Sequence, residues 1–536
     1  ADLYENIRAS LLPEAICEVL LHYTGDKAIE EKSIETMSLL VAHAEPTHEC
    51  FIRRDVISII VDNMRVYYES EALTMACCKT LAFLSKYAEV VDYLAIMNIA
   101  KLVLYSMQTY KDGENVMYCA QVVMNTGSNE QCVGQWVQSE TVQLLLRLCE
   151  EYIKKEETLF ALTAALYVLA KSEVSHASFG AGDCVSVFTS VLDVWMNRNN
   201  DEILCNVLLT VFYCYKVEAV LAALKRSTLL DLIIRVVVAN LSKALAKAYA
   251  MLMCRLAEDA SLRPVLLAKR ALEPLLDCVR KFPKGKTVNA DGFRAMELMS
   301  SEAEAKEFLL DNNVLYECME AIKNHLYAVE VLLPAVDVIA IIEQFAVEDG
   351  QTSAVKQRDI CEYVVKAIVE NGYEDRLLRA GLRALEFFIP FDEDGSLFYN
   401  NDAVAVVIDS MGRLFEEEAT QVTTLRVLKH TLLVPEASDI FNQNDGVKLA
   451  TQIAASFYAS EALQKEMMEV FVLLADAEEL QSVLFENQAL NYIVHNLTNF
   501  RDKPAVLLPA ETAIAKLCAY EPVCQALFDL GAVTML

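Results

Sequence analysis

Three short stretches carry residue types that could do chemistry. In "AHAEPTHEC" (42–50), His43, His48 and Cys50 stand close together around Pro46. The two histidines have a spacing that zinc tolerates, but a structural zinc site needs four ligands and no C-x-x-C pair is present to complete the set. "PKGKT" (283–287) resembles the tail of a phosphate-binding loop. The first glycine of G-x-x-x-x-G-K-T would fall at position 280, which is Arg280, so the stretch reads as a lysine-rich loop. "FDEDGS" offers Asp392, Glu393 and Asp394 to a hard cation. Gly395 comes too early for a calcium loop and no glutamate stands at the twelfth position, so a solvated loop is expected. With only seven histidines and no nucleophile–base signature, the sequence predicts no catalytic residues, no metal and no cofactor, and hence no enzyme.

The elements that position these stretches follow from composition. Gly (15) and Pro (11) are scarce in 536 residues while Leu, Ala, Val and Glu are abundant, which predicts an all-α chain. Hydrophobic residues make up 54% and mean hydropathy is +0.28, so a membrane reading needs testing. The richest stretch, 229–253, carries Asp231, Arg235, Lys243 and Lys247, and no run of about 18 apolar residues lacks charge, so no membrane span is expected. "ADLYENIRAS" at the start has neither the basic nor the apolar region of a secretory signal. The sixteen cysteines are scattered along apolar faces, a pattern of reduced buried thiols, which predicts a cytoplasmic or nuclear compartment. The formal charge is −30, and residues 341–536 hold 31 acidic against 14 basic side chains. Such a field repels nucleic acid and anionic membrane surfaces. It either attracts basic protein segments or keeps an apolar chain soluble.

One phrase recurs along the whole sequence: an apolar helix end followed by small or acidic residues, as in "SLLVAHAE", "AFLSKYAE", "YVLAKSEV", "TLLVPEASD" and "VLLADAEE". One aligned apolar residue from each copy gives Leu40, Leu84, Met124, Leu169, Cys214, Leu256, Met299, Phe345, Phe388, Leu433, Leu474 and Leu517, spaced 40–46 residues apart. A unit of about 42 residues cannot enclose a core, so its apolar face must be covered by the next unit. The expectation is a right-handed α-solenoid of about twelve repeats, forming one continuous array over 1–536. The turn-rich stretches 282–293 and 388–403 read as loops within it. The closing "GAVTML" reads as the start of a further unit, placing Leu527, Leu530, Val533 and Leu536 on an open face and suggesting an array truncated at both ends.

A second phrase joins a short helix to the next one, as in "EFLLDNNVLYECMEAI", "SVLFENQALNYIVHNL" and "QALFDLGAVTML". With this join the sequence resembles the armadillo-repeat family over essentially its whole length; HEAT repeats share the period but are two-helix units. The resemblance implies a short first helix, a second helix and a long third helix in each repeat, with the third helices lining a concave groove. In nuclear-import adaptors of this family the groove carries Trp and Asn five and one residues before the aligned position. Here Trp136 and Trp195 fall elsewhere, and those places hold Phe83, Val123, Val168, Tyr213, Leu298, Phe387 and Leu473, so recognition of nuclear-localisation peptides is not expected. The same places give Lys79, Arg255, Arg294, Arg383 and Lys516, with Gln344 between them. Two readings stay open: a groove for acidic or extended peptides, anchored by Tyr213 and Phe387, or helix residues paired with neighbouring glutamates. The function implied is a scaffold or adaptor binding protein partners, plausibly within a larger complex. Alternatives are a structural part of a cytoskeletal or ciliary assembly and an armadillo-type myosin chaperone.

Overall fold

The computed structural model describes residues 11–198, 200–226, 228–348 and 357–529. All regular structure among them is helical. It forms two compact units, Ala1–Pro274 and Leu275–Leu536.

Among the described residues, twelve third helices recur. In the first unit they are α1 (Lys27–His43), α2 (Glu71–Leu84), α3 (Gly113–Thr126), α4 (Glu156–Ala170), α5 (Asp201–Cys214) and α6 (Lys243–Ala257). In the second they are α7 (Lys286–Met299), α8 (Val329–Glu348), α9 (Asp375–Phe388), α10 (Glu418–Thr431), α11 (Glu461–Leu474) and α12 (Pro504–Leu517). Within each unit every third helix packs against the one before and the one after it. Their starts are encoded locally: Asp26, Asp112, Asn200, Ser242 and Ser460 are N-caps whose side chains accept from backbone N–H groups of the first turn. Such a cap is worth about 1 kcal/mol.

The join between the first and second helices is a residue in the left-handed region. Asn98, Glu140, Arg270, Asn313, Asp402, Asp445 and Gln488 all have φ between 51° and 64°. The corresponding residue of the last "LFDLGAV" lies outside the described residues, as do Leu530, Val533 and Leu536. Leu527, expected on an open face, is only 4% exposed.

Neighbouring repeats are also stitched by a seam of hydrogen bonds at the end of the second helix. In the first unit Tyr67 donates to the Gly25 carbonyl (3.2 Å), Tyr110 to Tyr68 (2.6 Å), Tyr152 to Lys111 (2.8 Å), Trp195 to Ile153 (2.7 Å) and Asn240 to Met196 (2.5 Å). In the second, the His325 ring meets the Pro283 carbonyl (3.1 Å) and Asn371 donates to Leu326 (2.8 Å). Each bond reaches back one repeat to a carbonyl that the helix end leaves unsatisfied. The same place holds Phe282 at the start of the second unit and Leu414, Phe457 and Phe500 further along it, and none of these four has a side-chain donor.

The helix starts also correct the repeat register. The inward-packing residue stands thirteen after the first residue of each third helix, which agrees with nine of the twelve aligned residues. In the other three the buried residue is Thr126 rather than Met124, Ile342 rather than Phe345, and Thr431 rather than Leu433. A search for apolar residues passes over the two threonines, whose hydroxyls bond back to Val122 and Val427 within their own helices. The 20-residue α8 overshoots its neighbours, which displaced the third.

Candidate interaction surface on the third helices

The three stretches singled out for chemistry have structural roles. His48 places one ring nitrogen 2.8 Å from the Val41 carbonyl and the other 3.0 Å from the Tyr87 hydroxyl, and Cys50 points to Glu14. Among the described residues no group of metal-ligating side chains comes together. Lys286 of "PKGKT" reaches Glu330 at 2.5 Å. "FDEDGS" is not simply a solvated loop: Asp392 is buried and caps the helix Ser396–Asn400 by accepting from the Leu397 and Phe398 N–H groups. Its carboxylate also lies 3.3 Å from His430, whose ring packs edge-on against Phe398. No single described helix is long and apolar enough to cross a membrane.

Among the groove candidates of the first unit, Lys79 lies over the Tyr118 ring at 5.5 Å and 4.0 Å from Glu114. Tyr213 packs against Tyr167 and Phe212. Arg255 lies over the Phe212 ring at 5.6 Å and pairs with Glu258 at 3.0 Å. In the second unit Arg294 pairs with Glu297 at 2.5 Å, and Lys516 with Asp476 at 2.5 Å. Gln344 bonds to Glu348, and in the corrected register it stands off the inward positions. Several candidate cations thus have acidic neighbours within ion-pair distance. Phe387 is half-buried on α9, and Arg383 faces Asp337 at 2.7 Å.

With the register corrected, the inward positions become Asn125 on α3, Asp337 on α8, and Arg426 and His430 on α10. Asn125 takes a place given above to apolar Val123. Its amide donates to the Ala82 carbonyl and the Ser85 hydroxyl, joining two repeats.

The other three residues line cavities in the second unit. A cleft of about 810 Å³ runs across α9 to α12. Its apolar lining includes Ile389, Leu433, Val472, Leu473 and Leu508, and Leu433 and Leu508 are 45% and 63% exposed. Its polar wall is a charge relay across three successive helices. Glu386 of α9 meets Arg426 of α10 at 2.5 Å, and Arg426 meets Glu466 of α11 at 3.2 Å. Lys429 reaches the same Glu466 at 2.7 Å and also pairs with Glu469. Glu466 is buried; burial pushes its carboxyl up, but Lys429 and Arg426 outweigh that and hold it below the usual range. The relay keeps most of the cleft's charge internally paired and leaves its apolar floor open.

Beside it, a pocket of about 410 Å³ is lined by Leu333 and Asp337 of α8, Arg376, Arg379, Leu382 and Arg383 of α9, and Ala419, Thr420 and Thr423 of α10. The three arginines recur at i, i+3 and i+7, one face of α9. Arg379 is held by a two-pronged bond to Glu417 at 2.6 and 2.8 Å. Thr423 borders this pocket and donates to Glu386 of the cleft, so one face of α9 and α10 serves both.

No family model matches the chain, and no curated protein matches it. Solved structures do match. One comes from work described as "A conserved phosphorylation switch controls the interaction between cadherin and beta-catenin in vitro and in vivo": 11% identity over 94% of this chain and 99% of the other, at a TM-score of 0.64. The complex of SYS-1 with POP-1 matches at 12% identity over 94% and 98%, at 0.57. She4p matches at 14% identity over 96% of this chain and 74% of the other, at 0.55. At such identities the likeness speaks for the fold, and with the three-helix repeat and its inward third helices it makes the fold of this chain that of an armadillo-type α-solenoid.

Proposed function

We propose that the chain is a non-catalytic scaffold that holds an extended segment of a partner protein along the inward positions of its third helices, in the cytoplasm or nucleus. The observation that carries this reading is the cleft across α9 to α12, open to solvent yet floored by exposed leucines beside self-paired charges. Exposed apolar surface rimmed by satisfied polar groups suits a partner's apolar side chains, and charges already paired demand no specific counter-charge. The structural neighbours lend support, since cadherin is described as interacting with beta-catenin and POP-1 as forming a complex with SYS-1. A net charge of −30 argues against nucleic acid as the ligand.

The test is photo-crosslinking in extract of the native cell, with a benzophenone amino acid at Leu508 in the cleft or at exposed Tyr458 outside it. A partner crosslinked from position 508, and lost when Val472→Arg blocks the cleft in a chain of unchanged circular dichroism, supports the reading. Crosslinks from position 458 alone, or a 508 crosslink indifferent to Val472→Arg, would refute it.

A further inference from the structure

The basic pocket holds an unusual mixture. In a chain of net charge −30, Arg376, Arg379 and Arg383 converge on one 410 Å³ space. Arg379 is spoken for by Glu417, while Arg376 is exposed and has no ion-pair partner among the described residues. Among the described residues Arg383 pairs with Asp337, and the two ends of this pair differ: the Arg383 side chain is 60% exposed and that of Asp337 only 14%. Asp337 thus projects a carboxylate from the wall of the pocket to the guanidinium that a carboxylate from outside would seek.

We propose that Asp337 is a built-in stand-in for a partner carboxylate: it occupies Arg383, and its protonation opens the pocket to an acidic segment of a partner protein that Arg376 and Arg383 then bind together. This deepens the scaffold reading above and rests on it. Charge complementarity names the occupant, because this pocket offers a bare guanidinium where the adjoining cleft is self-paired.

The groups that set the switch come from the two helices that flank α8. Burial acts most strongly on Asp337, and Glu297 of α7 adds like-charge repulsion; both push its carboxyl up. Arg383 and Arg376 of α9 and Arg294 of α7 oppose them, and the balance leaves it at about 6. Protonation removes a negative charge from the pocket and releases Arg383. An acidic ligand therefore binds more tightly as pH falls through 6, while its own aspartates, near 3.9, stay ionised down to about pH 5.

The experiment measures binding of a fluorescent hexa-aspartate peptide by anisotropy at fixed ionic strength, from pH 7.5 to pH 5. Asp337→Asn, which keeps the shape and drops the charge, is expected to bind about tenfold more tightly than wild type at pH 7.5, the effect of one like charge removed at close range. At pH 5 the two proteins are expected to agree within about twofold. General changes in protein charge affect both alike, so the gap between them reports Asp337. Equal affinities at pH 7.5, or a gap undiminished at pH 5, would overturn the switch. Arg376→Ala with Arg383→Ala is expected to cost at least about tenfold at pH 5; undiminished binding would overturn the site itself. The scaffold reading would still stand on the crosslink at position 508, so the two can fail separately.

Discussion

Glu466 is the hub of the charge relay, and replacing it by Gln tests whether the relay stabilises the stacking of α10 on α11. The change keeps size and shape but removes the charge that accepts from Lys429 at 2.7 Å and Arg426 at 3.2 Å. A hydrogen bond to a charged group is worth about 1.5–3 kcal/mol net, and a neutral acceptor retains about half of that. The two bonds together then lose about 1.5–3 kcal/mol. Relief from burying a carboxylate offsets part of this, while Glu386 and Glu469 still hold the two cations. We expect a net loss of about 2 kcal/mol at pH 7. The sign with pH follows from the depressed carboxyl: its contribution is present above the unfolded value of about 4.3 and disappears as pH falls through the lower folded value. Because an array of repeats need not unfold in one step, the assay is native-state hydrogen exchange of the α10 and α11 amides in the full chain, at pH 7 and with the same labelling window shifted to pH 3. Opening free energies unchanged at pH 7, or a loss just as large at pH 3, would refute the reasoning.

Four further outcomes are expected. Gly381→Ala in α9 would place a methyl carbon 2.2 Å from Ile368 Cδ1, so it should destabilise by about 1–3 kcal/mol in urea unfolding, and added Ile368→Val should recover part of that. Gln488→Gly removes a side chain from a residue at φ 64° and should stabilise the second unit by about 0.5–1 kcal/mol in the same assay, where most glycine substitutions destabilise. Asn240→Ala breaks the 2.5 Å seam bond to Met196 and leaves a carbonyl unsatisfied; exchange protection of the flanking helices should fall by about 1–2 kcal/mol while that of α1 and α2 stays unchanged. Of the sixteen cysteines Cys524 alone is exposed, while burial pushes thiols such as Cys17, to about 11, and Cys205, to about 12, upward; maleimide at pH 7 should label Cys524 first, by peptide mass mapping.

The repeat period, the all-helical class and the three-helix unit were legible because each rests on local signals: helix ends, N-caps, and the join that takes a left-handed residue. The interaction surface was legible in part. Arg383 stood among the candidates because its helix was in register, whereas Asp337, Arg426 and His430 were hidden by two misaligned repeats, those of α8 and α10. Two of the misalignments share one origin, the assumption that a buried residue is apolar, which Thr126 and Thr431 break by bonding to their own backbones, and the third comes from the extra length of α8. One further signal went unused. Glu386, Arg426 and Glu466 alternate in charge at intervals of 40 residues, and such alternation at the repeat spacing marks side chains that face each other across stacked helices. The convergence of Arg376, Arg379 and Arg383 was visible as a helical stripe. Which acids neutralise it depends on contacts between repeats, and those needed the fold.

The seam has a mechanical consequence. Bonds between the second-helix ends of successive repeats run at the point where sliding one repeat past its neighbour would have to break them, five within the first unit and two early in the second. At that place Leu414, Phe457 and Phe500 offer no directional bond, and contact between apolar surfaces tolerates small displacements that a directional bond does not. Within the second unit, the repeats of α9 to α11 are tied instead at their third helices, by the bonds of Glu386, Arg426, Lys429 and Glu466 that wall the cleft. A pull transmitted by a bound partner is therefore expected to fall on the wall of its own site.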